Sequence, residues 1–166
     1  MLCLGPFYHL IEPADRERAA NELVRVLKPT RPAFIAFMPV YTFLRRTLAL
    51  QDERRHLAQP EFVSRLMDEG VFLNDVPNRF NAGYGVRPPE VAPFMEKYGL
   101  ATVELLADTG FAGPYAEQLA ELAASDPQAY QTVLGIIVKT ANDPSLLGTS
   151  VHLLYIGEKK DDFKAV

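Results

Sequence analysis

The feature that most constrains this chain is the strand–helix–strand pattern in residues 1–38. Met1-Leu2-Cys3-Leu4 is apolar where a chain is usually frayed and polar, and so reads as the end of a buried strand. Pro13 suits the first turn of a helix, where its missing N–H costs nothing. Asp15 and Glu17 suit the positive end of that helix and Lys28 the negative end. Ala20, Leu23, Val24 and Leu27 recur at the spacing of one helical face, and Pro29 stops the helix. Ala33-Phe34-Ile35-Ala36-Phe37-Met38 is a continuous apolar run bounded by prolines, as expected of a strand covered on both faces. Strand, helix and strand at this spacing make a βαβ unit, which requires a parallel pair joined by a right-handed crossover. The chain is therefore predicted to be α/β.

Composition removes several functions. At 166 residues the chain is long enough for one domain with its own core. A net charge of −4, with no basic cluster, argues against a nucleic-acid surface. No apolar stretch reaches the roughly 18 residues a membrane span needs, so the expected compartment is the cytoplasm. The single cysteine, Cys3, has no disulfide partner and lies in the apolar strand, where an inert thiol is expected. There is no Cys pair, HExxH or His/Asp cluster to hold a metal, and no serine has a nucleophile-elbow context.

The pattern continues through residues 40–87, which read as an insertion. Tyr41, Leu44 and Leu48 suggest one helical stripe, and Phe62, Val63, Leu66 and Met67 another, closed by Gly70. Residues 74–87 are rich in Asn, Gly and Pro and read as a loop or short hairpin. A short helix is expected over 89–98, with Val91, Phe94 and Met95 inward, and a strand over 101–107. Two helices are expected over 114–124 and 127–141, the second capped by Asp126 with Pro127 at its first position. The last strand is expected over 150–158.

The run Leu4-Gly5-Pro6-Phe7-Tyr8-His9-Leu10, with Arg25-Val26-Leu27-Lys28-Pro29, resembles class I S-adenosylmethionine (SAM) dependent methyltransferases at their fourth strand, the following helix and the approach to the fifth strand. Later pieces fit as well: Arg87-Pro88-Pro89-Glu90, Tyr98-Gly99-Leu100 and residues 143–148. The chain departs from the pattern at Thr30-Arg31-Pro32, where relatives carry glycine. The resemblance implies a partial doubly wound sheet of about four strands with the final strand antiparallel, in one domain over residues 1–166. It also implies that the chain starts midway through the family's domain, a truncated form without the glycine-rich turn and acidic residue that hold most of the cofactor.

Open α/β sheets bind ligands beyond the carboxyl ends of their strands. The resemblance thus makes Leu4, Gly5 and Pro6 the candidate cofactor contacts, although Gly5-Pro6 also reads as a plain strand-ending turn. Tyr8 and His9 follow as candidate acceptor contacts. A histidine's unperturbed pKa lies near ~6.5, and His9 reads either as a base or as a histidine bonded to backbone. Tyr41, Phe43, Phe80 and Tyr84 in the insertion suggest a small, partly apolar methyl acceptor. His56, in a charged run, is expected on a solvated face, and His152 is expected to be structural.

Methyl transfer needs mainly alignment, so no catalytic triad is expected. The leading reading is a truncated SAM-dependent methyltransferase-like protein acting on a small molecule, with SAM bound weakly or not at all by this chain alone. The alternative is a non-catalytic α/β module that dimerises or binds a partner through its exposed half-sheet. A homodimer through the unpaired edge of residues 2–4 is expected in either case.

Overall fold

A computed structural model describes residues 1–160. The opening pattern folds as its periodicity requires. β1 (Leu2–Cys3) lies parallel to β2 (Pro32–Phe37), with Leu2 opposite Phe34 and Cys3 opposite Ile35. Between them runs α1 (Pro13–Val26), with Pro13 in its first turn. Ala20, Leu23, Val24 and Leu27 are all buried, so the helical face marked by those four positions is the one against the sheet. The last carbonyls of α1 are satisfied from across the core, where Lys159 donates to the carbonyls of Val24 (2.7 Å) and Leu27 (3.0 Å). A cation at that end also complements the helix dipole.

The sheet is completed by β5 (Leu100–Ala107) and β6 (Leu153–Lys159), in the order β1-β2-β6-β5. The final strand, β6, runs antiparallel to both neighbours, and a bulge between Thr102 and Glu104 shifts the β5 register. α1 and α4 (Pro88–Lys97) cover one face. There Phe7, Leu23, Val24, Ile35, Phe37, Val91, Met95, Leu100, Leu153 and Tyr155 form the main core. Truncating any of the larger side chains here to alanine would cost about 2–5 kcal/mol. On the other face Phe34, Leu106, Leu154 and Ile156 stay half-buried. Helix α6 (Pro127–Lys139), which pairs with α5 (Ala116–Ser125), borders this face near Leu106 and Leu154. Asp126 caps α6 as expected, accepting from the Ala129 N–H at 3.0 Å. A short α7 (Pro144–Leu147) leads toward β6.

The segment read as an insertion forms a subdomain with its own core. α2 (Val40–Ala49), a 3₁₀ turn (Arg54–Ala58) and α3 (Pro60–Glu69) precede a hairpin of β3 (Val71–Leu73) and β4 (Ala82–Tyr84). Gly70 ends α3 in the left-handed region, φ 72°, where a side chain is strained. Val40, Phe43, Phe62, Leu66 and Phe72 pack together. The buried stripe of α2 is therefore Val40, Phe43 and Thr47, with Leu44 partly buried against the same core, and not Tyr41 and Leu48. Tyr41 and Leu48 are exposed, because Phe43 turns inward to stack on Phe72, with ring centroids 4.7 Å apart. Gly83 makes this stacking possible, since a Cβ there would come within 2.8 Å of both Phe43 and Phe80.

Thr30 adopts φ 56°, a left-handed backbone, at the turn where the resemblance implies glycine. No helix among the described residues is long and apolar enough to cross a membrane.

Candidate functional site

The register places four chain segments at one edge of the sheet. Phe37 and Ala107, the last residues of β2 and β5, both sit opposite Leu153, the first residue of β6. The carboxyl ends of β1, β2 and β5 and the start of β6 therefore share an edge, which is where open α/β sheets place ligands.

After β1 the chain turns at once. Leu4 is 52% exposed, Pro6 is exposed and Gly5 is half-buried, with room for a Cβ at Gly5 except for the Tyr8 hydroxyl at 3.8 Å. A 3₁₀ turn (Pro6–Tyr8) follows, in which the Tyr8 hydroxyl donates back to the Leu4 carbonyl at 3.1 Å. Phe7 points into the core against Phe37 (5.2 Å) and fixes the loop. Arg16 holds the far end, donating to the carbonyls of Leu10 (2.8 Å) and Ile11 (2.6 Å).

Tyr8 and His9 join a continuous aromatic band. Their rings lie 4.8 Å apart. His9 contacts Phe80 at 5.3 Å, and Phe80 stacks on Phe43 at 6.1 Å. On the other side Tyr8 meets His152 at 5.5 Å. Thus Tyr8, His9 and Phe80 come together, and His152 joins them. Tyr41 and Tyr84 are placed elsewhere. Tyr41 lines a cleft of about 690 Å³ with Arg87, Leu105 and Leu147. Tyr84 sits under the Arg16 guanidinium, 3.5 Å from its ring centroid, beside a cavity of about 90 Å³. Phe43 is fully buried and belongs to the subdomain core rather than to a pocket wall.

His152 precedes β6 and is paired with Asp108 at the end of β5, with Nδ1 3.4 Å from Oδ2. The other carboxylate oxygen of Asp108 accepts from the Ser150 hydroxyl, from the Thr109 hydroxyl (3.0 Å) and from the His152 backbone N–H (2.9 Å). Burial alone would raise the Asp108 pKa. The donors from His152, Ser150 and Thr109 outweigh it and hold the group down at about 2. Ser150, itself fully buried, also accepts from the Thr109 N–H at 3.0 Å. The insertion clamps this corner: Arg45 donates to the carbonyls of Gly148 (3.1 Å) and Ser150 (2.7 Å), and Thr42 donates to Ser150 (3.0 Å) and Val151 (3.2 Å).

Asp108 and His152 are 44 residues apart, and no local spacing connects them. The only local signal was a polar pair at the ends of two apolar strands.

His56 corrects an expectation. It is not on a solvated face but buried, 3% exposed. Its Nε2 lies 3.0 Å from Asn74 Oδ1 and 3.3 Å from Asp75. Glu53, from the same charged run, is fully buried and paired with Arg46 at 2.7 Å. Charged side chains turn inward here because the hairpin loop brings Asn74 to meet them. An open cleft of about 980 Å³ lies beside them, lined by His56, Phe62, Arg65 and Asn74 among others, and includes none of the aromatic band.

Leu4 and Pro6 face solvent just past the carboxyl end of β1, with Gly5 half-buried between them. Burial raises the Cys3 thiol pKa, so this neighbour is not a ready nucleophile.

No protein-family model matches the chain, and no curated protein matches it in sequence. Solved structures do match. A SAM-dependent methyltransferase from Methanosarcina mazei superposes with a TM-score of 0.53 at 13% identity, over 95% of this chain and 57% of its own length. A protein described as an S-adenosylmethionine dependent methyltransferase, from Listeria monocytogenes, superposes with a TM-score of 0.51 at 10% identity, over 96% of this chain and 60% of its own. The chain spans less than two thirds of the length of either. At these identities the likeness is one of fold: the chain has a class I SAM-dependent methyltransferase-like fold, with the mixed four-stranded sheet that the sequence resemblance implied.

Proposed function

We propose that this chain is the acceptor-side part of a SAM-dependent methyltransferase acting on a small, partly apolar molecule. The observation that carries this reading is the band of Tyr8, His9, Phe80 and His152 at the carboxyl edge of the sheet, directly after the Leu4-Gly5-Pro6 turn. Aromatic faces beside a few polar groups suit a small organic acceptor. Tyr41 and Tyr84 lie in separate clefts and are not assigned to the acceptor site in this reading. SAM, when bound, supplies an electrophilic methyl group. The chain's own contribution is Leu4, Gly5 and Pro6 as one wall.

Titration of S-adenosylhomocysteine into the 166-residue chain, followed by amide NMR, tests this. The expected result is weak binding with shifts confined to Leu4, Gly5, Tyr8 and His9. Shifts centred on the insertion cleft, or tight calorimetric binding of SAM, would sink the assignment.

A second reading is favoured by one observation. Leu2 is 71% exposed and Leu4 52% exposed along a strand edge that pairs on one side only. Such an edge recruits another chain. In this reading the occupant is a second copy of the protein, joined about a two-fold axis, and the module need not be catalytic.

A further inference from the structure

We propose that His152, positioned by Asp108, is the proton acceptor for an ionisable hydroxyl on an aromatic acceptor, a phenol or enol. The inference rests on the reading of the aromatic band as the acceptor site and names the acceptor's class.

Asp108 Oδ1 is already taken by the Ser150 and Thr109 hydroxyls and the His152 backbone N–H. Only Oδ2 is left for the imidazole, and it faces Nδ1 at 3.4 Å. A carboxylate in that position selects the tautomer with the proton on Nδ1 and leaves the Nε2 lone pair free to take another. Separations of this kind are often long before a ligand binds. The His152 side chain is 34% exposed, so the imidazole is reachable, and its ring lies 5.5 Å from that of Tyr8. Asp108 stays ionised well below neutral pH and can balance the charge of an imidazolium.

His9, the other histidine of the band, lies against the rings of Tyr8 and Phe80 and forms no ion pair with a carboxylate among the described residues. The two histidines are thus unequal: His9 offers a stacking surface and His152 a base. The step is a proton transfer only. The acceptor O–H bond breaks, the proton moves to Nε2, and the acceptor is left as an oxyanion beside a neutral Asp108–imidazolium pair. No electrons change hands, and no further reactant is needed. Aromatic walls at Tyr8 and Phe80 favour a ring-borne hydroxyl, which is also acidic enough for an imidazole to deprotonate.

The probe is 4-nitrophenol, whose phenolate absorbs visible light. In the full chain the bound probe should ionise about one pH unit below the free compound, with amide shifts at Tyr8 and His9. His152→Gln should retain binding and abolish the ionisation shift. Asp108→Asn should weaken the shift, with amide spectra confirming the fold. If the probe binds at Tyr8 and His9 but His152→Gln leaves its ionisation unchanged, His152 is not the base and the acceptor site stands. If the probe perturbs neither Tyr8 nor His9, this inference and the acceptor-site reading both fall.

Discussion

The side-chain amide of Asn74 donates to the backbone carbonyl of Phe80 at 3.1 Å, and so ties the base of the hairpin loop to the aromatic residue that faces His9. The same amide donates to Glu53 Oε1 at 3.0 Å. Both partners are pure acceptors, which fixes the amide orientation. Asn74 Oδ1 must then accept, from the Val76 N–H at 3.0 Å and from His56 Nε2 at 3.0 Å, so His56 carries a proton on Nε2. Asn74→Ala would leave a buried carboxylate oxygen and a carbonyl short of donors. A loss of about 2–3 kcal/mol is expected from urea denaturation, with faster exchange of the Val76 amide than in the parent protein.

Arg46 and Glu53 form the charged half of that network, with Glu53 fully buried and Arg46 partly open to water. Arg46→Ala strands the carboxylate and should cost about 3 kcal/mol. Adding Glu53→Gln to Arg46→Ala should recover part of the loss, because an amide is cheaper to bury than an unpaired charge. Simple additivity in a double-mutant cycle would refute the coupling.

Thr30 holds a left-handed backbone, φ 56°, that is unfavourable for a β-branched residue. Thr30→Gly should raise stability by about 1 kcal/mol, the relief of strain exceeding the added freedom of the unfolded chain. A lowered denaturation midpoint would mean that the Thr30 side chain contributes more than the strain takes away.

Asp108 makes stability depend on acid. Its pKa lies at about 2 in the folded chain, below the ordinary 3.8. A depressed carboxylate contributes stability above its unfolded pKa and loses it as pH falls toward the folded value. The contribution of this corner should therefore be complete above about pH 4 and fade between there and about pH 2. Asp108→Asn should flatten the stability profile within that window and leave its shape above pH 5 largely unchanged. The size of the effect is reduced by solvent, because the Asp108 side chain is 36% exposed.

The edge of β1 gives the assembly prediction. Light scattering at micromolar concentration should show a species of twice 18.5 kDa, and Leu2→Lys should shift it to monomer by placing a charge on the exposed edge. A clean monomer that stays soluble would remove the second copy as occupant of that edge.

Much of the fold was legible because it rests on local rules. The apolar spacing of Ala20, Leu23, Val24 and Leu27, the prolines at 13 and 127, and Gly70 are short-range signals, and each appears where the residues place it. The antiparallel last strand was not a local signal. It followed from the resemblance, and the register of β6 between β2 and β5 bears it out. The α2 stripe was misjudged by one helical face, because Tyr41 and Phe43 are equally apolar in a linear reading. Only the arrival of Phe72 and of glycine at 83 selects Phe43 as the buried one.

By itself, the sequence determined the βαβ opening and the presence of the helices that begin at Pro13, Pro60 and Pro127, since these depend on periodicity and caps within a few residues. Tertiary structure decided which polar groups meet. His56 and Glu53 look like surface charges until the hairpin delivers Asn74, and Asp108 and His152 become a pair only because β5 and β6 lie side by side. A side chain's chemistry depends on its neighbours in space. Neighbours separated by tens of residues are set by strand register and loop docking, which leave no periodic trace in the chain.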